Sequence, residues 1–571
     1  MKRIPMGKSG RPNMGKLLAP YAVALSVALV SEAVLTLSRG FSPMRFICFV
    51  ALGVLVACLR PGSVLFKIKL DWGVRTQRLF LLTIPVILSL FLIPFSQLTD
   101  QGEWLDAGPS YWEGYQVVQD GAQYDYLADS LIAGRVTLDL PKSEILLSMD
   151  NPYDTPLRTR LNAEAHEPIY WDYAFYDGEY YCYFGVLPCL LTFVPFKLLT
   201  GRDLRTDIAV ILFAILVVWS IFHLLKVVQR GFFKGLSIGS FVIALVAAYA
   251  ASGVFEQAFF PRLYSLPILS AWLFASLALS FWFEAKAISV EKGRISRRHL
   301  TIGALCAGCT LACRPQYIVV AFLALVIFWQ EIRDRLFFSK KGIVNTLVVI
   351  LPIVVIALPV MYYNYIRFDS PTNFGASYNL TGADMTSYTF VPKKILAQTL
   401  EYLFLPLVTQ ADFPFVTTIN NAGWSHILLT NEPFYGGFLF LNPALFLSLS
   451  IAARCCRLRL REGWDKIPLV IGGVVAAVFV IVVASYVSGV NMRYFADFSL
   501  YLIVPFLMCF WSYSMEGTPN GRSRGVPLGS VTWCATLLGI LMYAMTFLGT
   551  ERLGALISSS PTVFQMARSM F

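Results

Sequence analysis

Apolar residues in this chain come in long unbroken stretches, without the three-to-four-residue spacing of a soluble amphipathic helix. Runs occur at Leu17 to Leu37, Phe41 to Leu59, Leu79 to Leu98, Ile208 to Leu225, Leu236 to Phe255, Leu266 to Phe283, Ile343 to Tyr363, Phe438 to Ala453, Ile467 to Val487, Leu500 to Tyr513 and Val526 to Phe547. Most approach the roughly 20 residues that a helix needs to cross a bilayer. The first follows the basic stretch MKRIPMGKSGRPNMGK, is longer than the apolar core of a signal peptide and has no clear small-residue cleavage site, so it is expected to be a retained span.

Two further stretches decide the topology. Phe184 to Leu199 is apolar but short and contains Pro188 and Pro195. If it crosses, the basic clusters at Lys226/Arg230/Lys234, Lys286 to Arg298, Arg333 to Lys341 and Arg454 to Lys466 all face outward while the basic N-terminus faces in. Laid along the outer interface instead, it returns all of them, with Arg60 to Arg78 and Arg522/Arg524, to the cytoplasmic side, where positive loops belong. Leu300 to Trp329 is interrupted at Arg314-Pro315 and is read as two short helices meeting at the outer face, because a single crossing would invert everything after it. The expectation is an all-α polytopic membrane protein of about 13 transmembrane helices, N-terminus cytoplasmic and C-terminus outside. Residues 1–97 carry spans 1–3, 98–206 a large external loop with an interfacial helix at 184–199, 207–363 spans 4–9, 364–436 a second external loop, and 437–571 spans 10–13.

Composition supports the membrane reading. The 571 residues are 57% hydrophobic and 14% charged, with a mean hydropathy of +0.63, whereas soluble domains average about 25% charged. The net charge of +11 sits in short clusters between apolar runs, where it sets topology, so nucleic-acid binding is set aside. The eleven cysteines lie mostly inside apolar runs, and Cys306, Cys309 and Cys313 share a helical spacing without a CxxC pair, which reads as packing.

Charge is divided unevenly. Leu98 to Tyr183 holds sixteen acids against the four bases Arg135, Lys142, Arg158 and Arg160, a net of −12 that leaves +23 for the rest. Aromatics and carboxylates alternate there, in Tyr111 to Gly114, Tyr170 to Tyr173 and Tyr176 to Tyr181. Such mixtures hold sugars or perform acid/base work on hydroxyls, although an interfacial aromatic belt has a similar composition. The second external segment, Asn364 to Gly436, is rich in Phe, Tyr and Leu and should pack over the first, with Ile395 to Val408 as an amphipathic surface helix.

GxSxG, HExxH and phosphate-loop motifs are absent, and His166, His223, His299 and His426 have no ligand spacing, so hydrolase, zinc and ATPase readings lose their usual support. The remaining chemistry is a set of external carboxylates plus Arg262, Arg314, Arg367 and Arg493 at outer helix ends. Carboxylates abstract hydroxyl protons or bind divalent cations, and arginines clamp phosphate. Together they suit transfer from a phosphate-linked donor.

Asp120 to Gly134 (DGAQYDYLADSLIAG) resembles the DExxYxxxAxxxLxxG motif near the start of the first external loop of GT-C class membrane glycosyltransferases, through Asp120, Tyr124 and Ala128, with Gly134 one residue short of the motif's glycine. Gly121 replaces the second acid, which leaves metal use open and Asp125 or Asp129 as substitutes. Glu179 to Pro188 with Thr200-Gly201, Arg314-Pro315, Tyr363 to Gly375 and Arg493 to Phe498 are also similar to features of uncharacterised bacterial members of that class.

The resemblance implies a cell-envelope hexosyl- or pentosyltransferase that moves a sugar, with inversion, from a polyprenyl-phosphate donor to an extracytoplasmic glycan, lipid or protein acceptor. Asp120 would be the general base. Asp125, Asp172 and Asp177 are acceptor- or metal-binding candidates, and Arg262, Arg314, Arg367 and Arg493 are donor-phosphate candidates. A divalent cation is the one candidate cofactor. Plainer roles compete with these: a helix cap for Asp120, a snorkelling or structurally paired Arg314, and an i,i+4 ion pair between Arg493 and Asp497. Glu32 is an ionisable group late in the first span that can simply reach the outer interface. The rival functions are a transporter or flippase for a lipid-linked glycan and a non-catalytic envelope scaffold. Against transport stand spans poor in charge and the lack of an internal repeat.

Overall fold

The computed structural model describes residues 21–23, 25–33, 43–58, 63–99, 110–112, 115–118, 121–387, 391–419, 433–515, 528–552 and 554–570. Among the described residues, seven helices are long and apolar enough to cross a membrane: α1 (Arg75–Ser96), α2 (Thr206–Phe232), α3 (Ser265–Lys292), α4 (Ile343–Phe368), α5 (Ile467–Val487), α6 (Met492–Ser514) and α7 (Leu528–Phe547). Shorter apolar helices lie between them, among them Ile238–Ala251, Pro315–Ile327 and Pro443–Ala452. Interior and exterior are both apolar. α6 is wholly enclosed, whereas α1 and α4 leave most of their apolar surface uncovered, including Ile87 and Leu90 on α1 and Val355 and Leu358 on α4. Patches of that extent are a liability in water and ordinary against lipid. The chain is a multi-pass membrane protein.

The bundle has two chemically distinct ends. At one, the loops are basic and tied to each other: Ile238 N–H donates to the Ile68 carbonyl (3.0 Å), Lys234 pairs with Glu291 (3.4 Å), Lys286 with Glu331 (2.7 Å), and Arg459 donates to the Tyr513 carbonyl (3.0 Å). The other end carries the acidic 121–183 segment. α2 begins there, where Thr206 Oγ1 donates to the Gly121 carbonyl (3.0 Å), and runs to Arg230 at the basic end, with Asp207 in its first turn and Arg230 in its last, the charge order that the helix dipole favours. α3 starts beside Tyr264 and finishes at the left-handed Gly293. The Arg297–Cys313 helix returns and stops at Arg314, which is extended (φ −154°) because the following Pro315 disfavours helical geometry in the residue before it.

At the acidic end the chain forms a small module with five short strands. Strand β1 (Ser110–Trp112) pairs antiparallel with β2 (Tyr115–Val118), and β2 runs parallel to β3 (Ile169–Tyr170). β4 (Ala174–Tyr176) and β5 (Glu179–Tyr181) form a hairpin. The all-helical expectation is corrected here. Aromatic residues suited to pleated surfaces flank Asp177-Gly178, whose positive φ values (48° and 74°) are those of a tight two-residue hairpin turn.

The Gln123–Ile132 helix anchors this module. Tyr124, fully buried, stacks on Phe193 (5.3 Å between ring centroids) and donates to the Gly185 carbonyl (3.3 Å). Gly134, at φ 73°, ends the helix in the left-handed conformation that glycine adopts without penalty. Gly185 is required by close approach, since a Cβ there would stand 2.0 Å from the Cys313 carbonyl oxygen. The two short helices Val186–Leu191 and Phe193–Thr200 therefore begin against Cys313. They finish with Lys197 paired to Asp129 and to Asp203 (2.7 Å), beside the same Gln123–Ile132 helix. The Pro392–Phe404 helix exposes Leu396, Leu400 and Phe404 along one stripe and buries Gln398, Glu401 and Tyr402 on the other.

Candidate functional site

Between this module and the helix ends lies a cavity of about 630 Å³. Its polar groups come from distant parts of the chain: Asp172 from the β3–β4 turn, Tyr264 from the residue before α3, Arg314 and Gln316 from the helix break, Asn379 from the segment after α4, Asn491 from the α5–α6 connection and Arg493 from the start of α6. Trp171, Tyr183, Phe184 and Tyr494 add aromatic surface, and Val483, Ala484 and Val487, at the end of membrane-length α5, make one side apolar.

Asp172 adopts a left-handed φ of 63°, a conformation that Asp tolerates better than most residues. Its backbone is held from both flanks, by the Gln123 amide donating to its carbonyl (2.7 Å) and by its own N–H donating to the Leu380 carbonyl (3.0 Å). Its carboxylate accepts from the Tyr264 hydroxyl and from Asn379 Nδ2 (3.2 Å). Tyr183 lies within electrostatic range of Asp172, Arg493 and Arg314, and burial, then the Asp172 charge, hold its phenol protonated well above the usual range.

Arg314 donates from Nε (3.0 Å) and Nη2 (2.7 Å) to one oxygen of Asp497, which also accepts from Gln316 Nε2 (3.1 Å). Asp497 is fully buried, behind the cavity wall, while Arg314 keeps 16% of its side chain exposed. Arg493 places its guanidinium 4.2 Å from the centre of the Tyr264 ring. Among the described residues, two guanidiniums and one carboxylate thus line the space, with a second carboxylate offsetting Arg314 from behind. Such a wall can receive a phosphate without a large net charge when empty.

The other sequence candidates distribute as follows. Asp120 lies outside the described residues; the helix that follows it has Ala122 at its N-cap. Arg262 lines a smaller compartment that adjoins the cavity and shares Arg493 with it. Arg367 is buried among the chain's own acceptors, donating to the Cys182 carbonyl (2.7 Å) and Asn364 Oδ1 (2.8 Å), and lines neither space. Asp177 sits in the exposed hairpin turn. Asp125, mostly buried beside Asp203, Lys197 and Asp129, is pushed up to about 7, chiefly by burial and then by the Asp203 charge. The i,i+4 alternative for Asp497 gives way to its pairing with Arg314 across the bundle. Among the described residues no group of three or more His, Cys, Asp and Glu side chains is placed to hold a metal ion.

Sequence reasoning missed Tyr264, Asn379, Asn491, Glu256 and Arg552. Glu256 and Arg552 satisfy the criterion that singled out Arg262, a charged residue at the outer end of an apolar run. Asn379 had no such signal, because only folding brings the segment after α4 to the β3–β4 turn.

The fold and site define a multi-pass membrane protein with a polar, aromatic-lined cavity at one end of its bundle. No family model matches the chain, and no curated protein matches it. Among solved structures it is similar to ArnT from Cupriavidus metallidurans bound to undecaprenyl phosphate, with a TM-score of 0.39 and 12% identity, over 82% of this chain and 64% of that one. The chain thus spans less than two thirds of that protein's length. At so distant a likeness the cavity's own chemistry has to carry the functional reading.

Proposed function

We propose that the protein is a membrane glycosyltransferase that moves a sugar from a polyprenyl-phosphate donor to an acceptor hydroxyl, in a cavity on the extracytoplasmic side. The observation that carries this reading is the joint lining of one cavity by a carboxylate held in a fixed turn, two arginines, a set of aromatic rings and the apolar end of a membrane-length helix. An isoprenoid needs the apolar side, its phosphate the arginines, and a sugar the aromatic faces. The orientation follows from charge: the opposite end of the bundle carries the basic loops, which belong in the cytoplasm, and thirteen crossings with an interfacial 184–199 segment satisfy every one of them.

In this mechanism the acceptor oxygen attacks the anomeric carbon as the bond from that carbon to the phosphate oxygen breaks, which inverts the anomeric configuration. A carboxylate takes the acceptor proton, and the leaving phosphate keeps the bonding electron pair. Asp172 fits the base by position, its carboxylate oriented by Tyr264 and Asn379. Asp120 is the second candidate, from the motif. Arg314 and Arg493 stabilise the charge that grows on the leaving phosphate.

The test is transfer by the purified protein in proteoliposomes from a panel of polyprenyl-phosphate hexoses and pentoses, with Asp120→Asn and Asp172→Asn side by side. One of the two variants should lose about 10² to 10⁴ in rate. Wild-type protein that neither binds polyprenyl phosphate nor transfers any sugar refutes the reading.

A further inference from the structure

The smaller compartment beside the cavity has a chemistry of its own. It measures about 50 Å³ and shares Tyr264, Asn491 and Arg493 with the larger space. Among the described residues, three guanidiniums line it, Arg262, Arg493 and Arg552, against the one carboxylate of Glu256. They come from the turn before α3, the start of α6 and the loop after α7, so only the folded bundle brings them together. Arg552 is paired with Glu256, both side chains being almost wholly buried. Arg262 and Arg493 are stacked on aromatic rings, 3.4 Å from the centre of Phe260 and 4.2 Å from that of Tyr264. Stacking fixes the plane of a guanidinium, so its N–H edge is ordered before any anion arrives.

Size and lining narrow the ligand. At roughly 10–15 Å³ per water-sized group, the space admits about four such groups, the size of a phosphate or carboxylate and too small for a sugar ring. The lipid side of the donor is provided for elsewhere: Val483, Ala484 and Val487 line the larger cavity, and none of them lines the annex. A lipid-linked phosphate is therefore better served beside Arg314, and the annex is left for a second anion.

We propose that the annex formed by Arg262, Arg493, Arg552 and Glu256 binds a phosphate or carboxylate group carried by the acceptor, so that the acceptor is an anionic molecule gripped next to the transfer site. This rests on the glycosyltransferase reading for the word acceptor, while the anion site itself stands on the geometry of the annex. Arg493, which lines both spaces, would couple the two ligands.

The experiment titrates the detergent-solubilised full-length protein with inorganic phosphate and, separately, with a polyprenyl phosphate. Wild-type protein should bind both at once. Arg262→Gln should weaken inorganic phosphate at least about tenfold, which corresponds to about 1.4 kcal/mol, and leave polyprenyl phosphate within about twofold. Arg262→Lys should recover part of the loss. The double variant Glu256→Gln/Arg552→Gln, which removes the buried pair together, should also weaken phosphate. Inorganic phosphate bound as in wild type by both the Arg262→Gln and the double variant overturns the proposal, and so does competition between the two ligands for one site in the wild type. Arg262-dependent phosphate binding by a protein that ignores polyprenyl phosphate has a different meaning: the anion site exists, but both the transferase reading and the assignment of its ligand to an acceptor fall.

Discussion

Removing Arg314 separates a structural arginine from one that serves the donor. Asp497 is fully buried and accepts three hydrogen bonds on one oxygen, two of them from Arg314 at 3.0 and 2.7 Å. Arg314→Met leaves that carboxylate with a single hydrogen bond, from Gln316, and breaking a buried pair by removing one partner costs about 3–5 kcal/mol. A membrane protein so destabilised would lose activity whatever the arginine's role, so the single variant is uninformative by itself. Arg314→Met/Asp497→Leu removes both charges together. Buried pairs replaced in this way are often neutral in stability, so the double variant should unfold within about 1 kcal/mol of wild type in a thermal scan in detergent. Its transfer rate in proteoliposomes should nonetheless fall by about 10²–10³, the usual loss when one donor to a developing negative charge is removed. A double variant that is stable and transfers at the wild-type rate would show that Arg314 is a strut and that the phosphate is bound elsewhere. Arg314→Met alone with wild-type stability would refute the energetic argument.

Three other outcomes are expected. Asp125 is held near 7 in the folded chain against an ordinary 3.8, so between those values the folded state binds a proton that the unfolded state does not. Stability should fall as pH rises from about 4 to about 7 and then level off, and Asp125→Asn should flatten that slope and melt higher than wild type at pH 8; a wild-type melting temperature that rises across this range contradicts the burial argument. Arg367→Ala should destabilise the protein by about 1–3 kcal/mol, because it leaves the buried Cys182 carbonyl without its donor, yet the KM for donor should not change; a raised KM with intact stability would return Arg367 to the phosphate site. Cysteines introduced at Asp177 and at Lys292 should be labelled by a membrane-impermeant reagent from outside and only from inside, respectively, and the reverse pattern would invert the orientation.

The helical frame was legible because lipid imposes long apolar runs and charge marks their ends. The break at Arg314-Pro315 shows how far this goes: proline restricts the residue before it, and the helix stops there with Arg314 extended. The strands of the module at the acidic end were not legible. In Tyr176 to Tyr181 the aromatic and acidic residues suit a sugar-binding surface and a strand pair equally, and only the Asp177-Gly178 centre, which favours a tight turn, points to the hairpin.

The motif and the cavity illustrate different kinds of legibility. Tyr124 and Ala128 are buried in the joint between the Gln123–Ile132 helix and the helices after Gly185, and Gly134 closes that helix, so two of the three matched positions, and the glycine beside the motif's last position, do architectural work. A spacing of four and then six residues can be read from a sequence because it belongs to one helix. Asp172, Asn379, Arg314 and Arg493 belong to no common spacing, lying on four segments spread over more than 300 residues. Nothing local relates them: Arg314 and Arg493 stood out only as charged residues at the ends of apolar runs, Asp172 as one acid among many in an aromatic segment, and Asn379 had no signal at all. That criterion tests depth in the membrane and is blind to direction around the bundle axis. It admitted Arg367, which turns toward the Cys182 carbonyl, as readily as Arg493, which lines the cavity. Depth can be counted along the chain, whereas direction is decided by which helices pack together, and the choice among the arginines therefore had to wait for the fold.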